Sequence, residues 1–173
     1  MDTPQPRAPL AAFEPAPHGG PDYDLFARLG LSPADVLDFS ANTNPFGPSP
    51  RVRAALGLLA LDRYPDSHCR ALAERIAKRH GVPAAQVLVG NGSVELIRLL
   101  AQAYLAPGDR DFCLLVEPTF GEYRAAAQLA GAQLLVHRAR EEDNFHPSLD
   151  ALAALAREGK PRLTYLCNPN NPT

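Results

Sequence analysis

The chain has 173 residues, 46% of them hydrophobic and 21% charged, with a formal net charge of -2, a composition that suits one globular domain of ordinary size. That near-neutral balance gives no electrostatic reason to expect a nucleic-acid or anionic-membrane partner. The longest apolar runs, such as residues 112–116, are far too short to span a bilayer, and residues 1–9 lack the apolar core of a signal peptide, so a cytoplasmic location is expected.

Residues 1–50 are rich in Pro, Gly, Asn and Asp and read as an arm and loops, with one helical piece around 22–29. Ser49 as N-cap and Pro50 in the first turn then open a helix with Val52, Ala55, Leu56 and Leu59 on one side. Arg63-Tyr64-Pro65-Asp66 breaks that pattern, and a second helix follows over 69–80, with Leu72, Ala73, Ile76 and Ala77 on one face and Gly81 as its terminator. From there strands and helices alternate. Strands are predicted over 87–89, 112–116, 133–137 and 163–166; helices over 93–104 (Val94, Ile97, Leu100, Ala101 and Tyr104 in register), 120–130 and 148–158 (Leu149, Leu152, Ala153, Leu155 and Ala156 inward), with a turn at Pro107-Gly108-Asp109. One helix in each gap between strands argues for βαβ units and a largely parallel α/β sheet, covered on both faces, with its loops gathered at the strand C-terminal ends. Four such strands would leave an open edge and an uncovered apolar face.

Cys69, Cys113 and Cys167 are odd in number and widely spaced, which argues against disulfides and zinc. Cys113 reads as core, and no His–acid arrangement makes Cys167 a nucleophile.

Three loops at the expected sheet edge carry chemistry. Gly90-Asn91-Gly92-Ser93 leads into a helix, so the amides of Gly92, Ser93 and Val94 can meet a phosphate. By itself the loop is also a plain turn, being neither the Walker nor the dinucleotide pattern. Glu117-Pro118-Thr119-Phe120 puts an aromatic ring at the edge, able either to stack on a flat heterocycle or to pack on the domain flank. Asn168-Pro169-Asn170-Asn171-Pro172-Thr173 holds carboxamides on a loop stiffened by two prolines, where an amide can donate to a ligand oxygen.

In this order, the loops resemble those of pyridoxal-phosphate (PLP) dependent aminotransferases of fold type I, closest to the histidinol-phosphate aminotransferases and to the threonine-phosphate decarboxylases of cobalamin biosynthesis. His18-Gly19-Gly20, Leu37-Asp38-Phe39-Ser40-Ala41-Asn42-Thr43-Asn44-Pro45 and Arg63-Tyr64-Pro65-Asp66 extend the resemblance over most of the chain. It implies a three-layer fold, incomplete at the C-terminal end, with an arm and small-domain segment over 1–60 and the first part of a large PLP domain over 61–173. It implies that Gly92, Ser93 and Val94 hold the PLP phosphate by main-chain amides, although relatives often carry Asp at position 94. Phe120 would stack on the pyridine, Asn171 would donate to its phenolic oxygen, and Tyr64 would reach the phosphate of a neighbouring subunit in a homodimer. His18 and Asn44 would face a small phosphorylated amino-acid-type substrate. His18-Gly19-Gly20 and Asp38-Phe39-Ser40-Ala41-Asn42 look more like the decarboxylase branch, whereas Phe46-Gly47-Pro48-Ser49-Pro50 suits the aminotransferases equally.

The family's cofactor-bearing lysine lies downstream of the Asn-Asn-Pro-Thr loop. The lysines present, Lys78 and Lys160, sit on a helix's polar face and in a turn on the side where strands begin. No catalytic residue is therefore assigned, and the chain alone is expected to be inactive. Two other classes remain in view: a non-catalytic phosphate-binding α/β module, and a regulator fused to a DNA-binding unit, for which no basic helix-turn-helix is present.

Overall fold

The computed structural model describes residues 7–11, 13, 15–108 and 111–173; Asp109 of the predicted turn and residues 1–6 of the N-terminal stretch lie outside the described residues. In chain order the elements are α1 (Ala8–Ala11), α2 (Tyr23–Leu29), α3 (Pro50–Leu56), α4 (Arg70–His80), α5 (Ser93–Tyr104), β1 (Phe112–Glu117), α6 (Glu122–Ala130), β2 (Gln133–Arg138), α7 (Leu149–Gly159) and β3 (Leu163–Tyr165), with short 3-10 turns between some of them. They fall into two compact units: Val89–Thr173 together with Met1–Ala16, and Pro17–Leu88.

The first unit is built on a parallel sheet of order β2-β1-β3. β1 pairs with β2 from Phe112↔Gln133 to Glu117↔Arg138, and with β3 from Cys113↔Leu163 to Leu115↔Tyr165. The central strand is apolar on both sides because both sides are covered. Cys113 and Leu115 face a cluster with Ile97 and Ala101 of α5 and Ala126, Ala127 and Ala130 of α6. The alanines let α6 lie close to the sheet, and burial of a leucine such as Leu115 contributes roughly 1.5–3 kcal/mol. Leu114 points the other way, on the side of its neighbour Leu135, and there a Cβ on Gly159 of α7 would lie 2.2 Å from Leu135 Cδ1. So α6 and α7 cover opposite faces. Right-handed crossovers require this, because the chain steps from β1 to β2 in one direction and from β2 back across β1 to β3 in the other.

The predicted strand over 87–89 is not formed. Val87 is extended, but its N–H is used by Ala84 O at 3.0 Å, closing a 3-10 turn, and no ladder partner exists among the described residues. Boundaries move where caps decide them. Gly121, not Phe120, precedes the first turn of α6, and Ser148 caps α7 rather than joining it. Leu149 (75% exposed) and Ala153 of α7 turn outward rather than inward.

In the Pro17–Leu88 unit, Asp22 accepts from Leu25 N at 2.8 Å to cap α2, and Ser49 caps α3 as expected. Leu59 lies past the end of α3, and Val52, Leu56 and Leu59 remain exposed. Ala73 and Ala77 form the buried side of α4, whereas Leu72 is half exposed. Among the described residues no helix is long and apolar enough to cross a membrane, and no His, Cys, Asp and Glu cluster suits a metal.

Candidate functional site

Because β1 is the strand at which the direction of travel reverses, the loops after β1 and β3 emerge side by side with no crossover helix between them. Open α/β sheets form their ligand crevice at such a switch point. The orientation of α5 adds a third element. Near its C-terminal end, Tyr104 O accepts from Arg162 Nε at 3.0 Å, just before β3 begins; closer to its N-terminus, Ile97 O accepts from the hydroxyl of Tyr165, the last residue of β3, at 2.6 Å. The helix therefore runs against the strands and brings Ser93 to the edge where β3 ends.

That N-terminus, like those of α4 and α6, has no side-chain cap. Side chains of Asp22, Ser49 and Ser148 cap α2, α3 and α7, but the N-cap of α5 is Gly92, without a side-chain cap. Ser93 is the first helical residue and is exposed, so it does not serve as the cap that a plain-turn reading would give it. Gly92 has φ +81°, a left-handed conformation that side chains resist, and its missing Cβ faces open space. The loop is otherwise fixed: Glu95 accepts from Asn91 N at 2.5 Å, and a Cβ on Gly90 would come within 2.7 Å of the same carboxylate oxygen. The Gly92 N–H, expected among the donors, is taken by Gly90 O at 2.9 Å; the uncapped amides of Ser93 and Val94 at the start of a 12-residue helix, with room in front of Gly92, fit a phosphate. Since the donors are main-chain, Val94 in place of Asp does not disturb the fit.

The second and third loops are joined by one side chain. Asn170 Oδ1 accepts from Thr119 Oγ1 at 2.8 Å, while its Nδ2 donates to Pro118 O at 2.9 Å and to Thr173 Oγ1. Both side-chain polar atoms of Asn170 thus hold Phe120's loop to Asn171's. The Glu117–Pro118, Asn168–Pro169 and Asn171–Pro172 peptide bonds are cis. Glu117 anchors the start of the second loop, accepting from Arg124 Nε at 2.8 Å. Phe120 is half-buried and meets Tyr123 edge-on (centroids 6.0 Å apart, planes at 88°); Tyr123 stacks on Tyr165 at 4.9 Å. Asn171 is exposed.

Burial pushes the Tyr123 phenol up to about 12, aided by its hydrogen bond to Cys167, and burial likewise raises Tyr165 to about 12. Both values lie above the ordinary 10.0, so the neutral phenols favour the folded state. That contribution is complete below pH 10 and is lost as pH climbs to about 12. Phenolate absorbance followed against pH is expected to show these two tyrosines ionising only near 12, together with loss of folded structure.

The remaining predicted residues lie in the other unit. Tyr64 has a fully exposed ring, on a turn whose Asp66 carboxylate accepts from Arg70 N at 2.9 Å and His68 N at 3.0 Å; these N–H groups, Arg70's first, hold Asp66 below the usual carboxylate range. Asn44 spends its carboxamide locally, donating to Gly47 O at 2.8 Å and accepting from Phe46 N at 3.1 Å. His18 is exposed. Its neighbours close on the Asp38–Ser40 segment: Gly20 N donates to Ser40 Oγ at 2.8 Å, and a Cβ on Gly19 would collide with Ser40 O at 1.7 Å.

Over residues 34–173 the sequence matches the family model of aminotransferase class I and II. The chain belongs to that family. It is 40% identical to the histidinol-phosphate aminotransferase of Symbiobacterium thermophilum over 169 residues, 96% of this chain and 45% of that protein. It is 38% identical to that of Moorella thermoacetica over 173 residues, 98% of this chain and 42% of that protein. The chain thus spans less than half the length of the curated relatives it matches. The crystal structure of histidinol-phosphate aminotransferase from Sinorhizobium meliloti in complex with pyridoxal-5'-phosphate superposes with a TM-score of 0.79 over 99% of this chain and 44% of that one; at 21% identity this likeness speaks for the fold. The three-stranded parallel sheet flanked by helices is therefore part of the fold-type I aminotransferase architecture.

Within this aminotransferase frame, the residues missed by sequence reasoning are those that hold others in place. Tyr123 was accessible, since it stands one helical turn after Phe120. Asn170 was hidden among four neighbouring polar and proline residues that look alike as text. The pairing of Arg98 with Glu122, at 2.9 Å, joins α5 to α6 across 24 residues and leaves no sequence signal.

Proposed function

We propose that the protein carrying this chain is a PLP-dependent aminotransferase acting on a phosphorylated amino acid or amino alcohol, of the histidinol-phosphate type, and that it works as a homodimer. The single observation that carries this is the uncapped α5 N-terminus brought to the same sheet edge as two loops clasped by Asn170. The amides of Ser93 and Val94 hold the cofactor's phosphate, Gly92 leaves room for it, Phe120 covers one face of its ring, and Asn171 donates to its phenolic oxygen. When bound, PLP supplies an electron sink for the bond broken at the substrate's Cα. The chain's own groups orient that ring and exclude water from one face of it. Tyr64, whose ring meets nothing in its own unit, extends to the phosphate of the neighbouring subunit. His18 and Asn44 belong to the substrate side. Lys160 caps the C-terminal end of α7, next to where β3 starts, and Lys78 lies in the last turn of α4. On this reading, neither lysine carries the cofactor, and these 173 residues alone are inactive.

The test is equilibrium PLP binding to the full-length protein. Phe120→Ala is expected to weaken binding about tenfold, the stacking contribution of one ring, and histidinol phosphate with 2-oxoglutarate is expected to yield the keto product. Tight inorganic phosphate binding without PLP binding would instead leave a phosphate-binding module. A second reading, threonine-phosphate decarboxylation, is favoured by the packing of His18-Gly19-Gly20 on Ser40, the segments that resemble that branch. Release of carbon dioxide from threonine phosphate, with no amino transfer, would select it.

A further inference from the structure

We propose that Tyr123 is the positioning residue of this site: its ring, braced on Tyr165, sets the tilt of the Phe120 ring, so that the Phe120 ring is ordered before the cofactor arrives. The inference rests on the reading of Phe120 as the ring's stacking partner.

Phe120 stands outside both β1 and α6, with its carbonyl accepting from Tyr123 N at 3.3 Å as α6 begins. Its side chain takes its orientation from what it packs against, and the Tyr123 ring meets it nearly perpendicular, at 88°. Tyr123 is well placed to impose that angle because it is held on two further sides. One face stacks on Tyr165, with centroids 4.9 Å apart and planes at 27°, and Tyr165 is itself buried and fixed by its hydroxyl on Ile97 O at 2.6 Å. The Tyr123 hydroxyl lies beside Cys167, whose thiol donates to Pro169 O at 3.3 Å. One side chain therefore touches the second loop, the end of β3 and the root of the third loop, and through Tyr165 it is braced on α5. Turning Tyr123 away would break the stack on Tyr165 and the edge contact with Phe120 together. A ring so braced loses little freedom on binding, which improves affinity without any direct contact with the ligand.

A role confined to core packing makes a different prediction, and binding measured separately from stability distinguishes the two. In the full-length protein, cofactor-free samples of wild type, Tyr123→Phe, Tyr123→Leu and Tyr123→Met are titrated with PLP, and their melting temperatures are recorded without it. Leu and Met variants are expected to raise the PLP Kd about tenfold, the range of one edge-to-face aromatic contact. The Phe variant keeps both ring contacts and is expected to stay within about twofold of wild type. Met fills a similar volume without an aromatic edge, so it carries the comparison if the Leu variant does not fold. Lowered melting temperatures with an unchanged Kd in the folded variants would overturn the proposal. A Phe120→Ala variant in the same series separates the two ideas. If it weakens binding while Leu and Met at position 123 do not, only the positioning role fails; if it too leaves Kd unchanged, the stacking role of Phe120 fails as well.

Discussion

An Arg98→Leu variant is expected to lose roughly 2–4 kcal/mol of stability in urea unfolding, the range for removing one partner of a buried ion pair, reduced because solvent reaches the arginine. Glu122 is 1% exposed and begins α6, immediately after the second loop. Its Oε2 accepts from Arg98 Nε at 3.1 Å and Nη2 at 2.9 Å, and the helix start adds favourable partial charge. The pair is lopsided: the arginine side chain is 45% exposed, the carboxylate's 2%. Removing Glu122 lets the guanidinium turn to water, whereas removing Arg98 takes two charge-assisted hydrogen bonds from a carboxylate that water does not reach. Arg98→Leu is thus expected to be more damaging than Glu122→Leu, and the double variant to recover part of the loss. Equal costs for the two single changes would mean that the carboxylate is better solvated than its burial implies. Because the pair joins α5 to α6, the same variant is also expected to weaken PLP binding, by loosening the helix start that presents Ser93.

Asn170→Ala is expected to weaken PLP binding of the full-length protein by on the order of tenfold to a hundredfold, with a smaller effect on melting temperature. Each hydrogen bond lost contributes about 0.5–1.5 kcal/mol, and three meet on this carboxamide. Their loss leaves the strands intact but separates Pro118 and Thr119 from the Asn171 loop, so the damage falls on the geometry of the site. Asn170→Asp keeps the acceptor for Thr119 and loses the donor to Pro118 O; an intermediate Kd is expected. Wild-type affinity in Asn170→Ala, measured by PLP titration, would show that the loops hold their places without the clasp.

Much of this was readable in the text of the chain. Residues 112–116 could be identified as a buried strand because an uninterrupted apolar run has nowhere else to go in a sheet covered on both faces. The three loops could be found because glycine, proline and asparagine each restrict the backbone in a characteristic way. What escaped had one physical cause: the side chains that hold the loops act across the fold. Arg98 and Glu122 lie on different helices, and Tyr123 and Tyr165 stack only once β1 and β3 are neighbours. The strand expected over 87–89 failed for a related reason, since extended backbone becomes a strand only when something pairs with it, and the N–H of Val87 is taken by its own turn. At Leu149, helical spacing gave the wrong side: the residue opens α7 and is 75% exposed.

The seat of α1 bears on the order in which the protein can assemble as it is made. Arg7 at the head of that short helix donates to Leu129 O of α6 at 3.3 Å, across 122 positions of sequence, and α1 packs on α6. A ribosome delivers α1 before α6, so the surface that receives α1 does not exist until α6 has emerged. The contact between α1 and α6 therefore closes only after the whole Pro17–Leu88 unit has been synthesised between them.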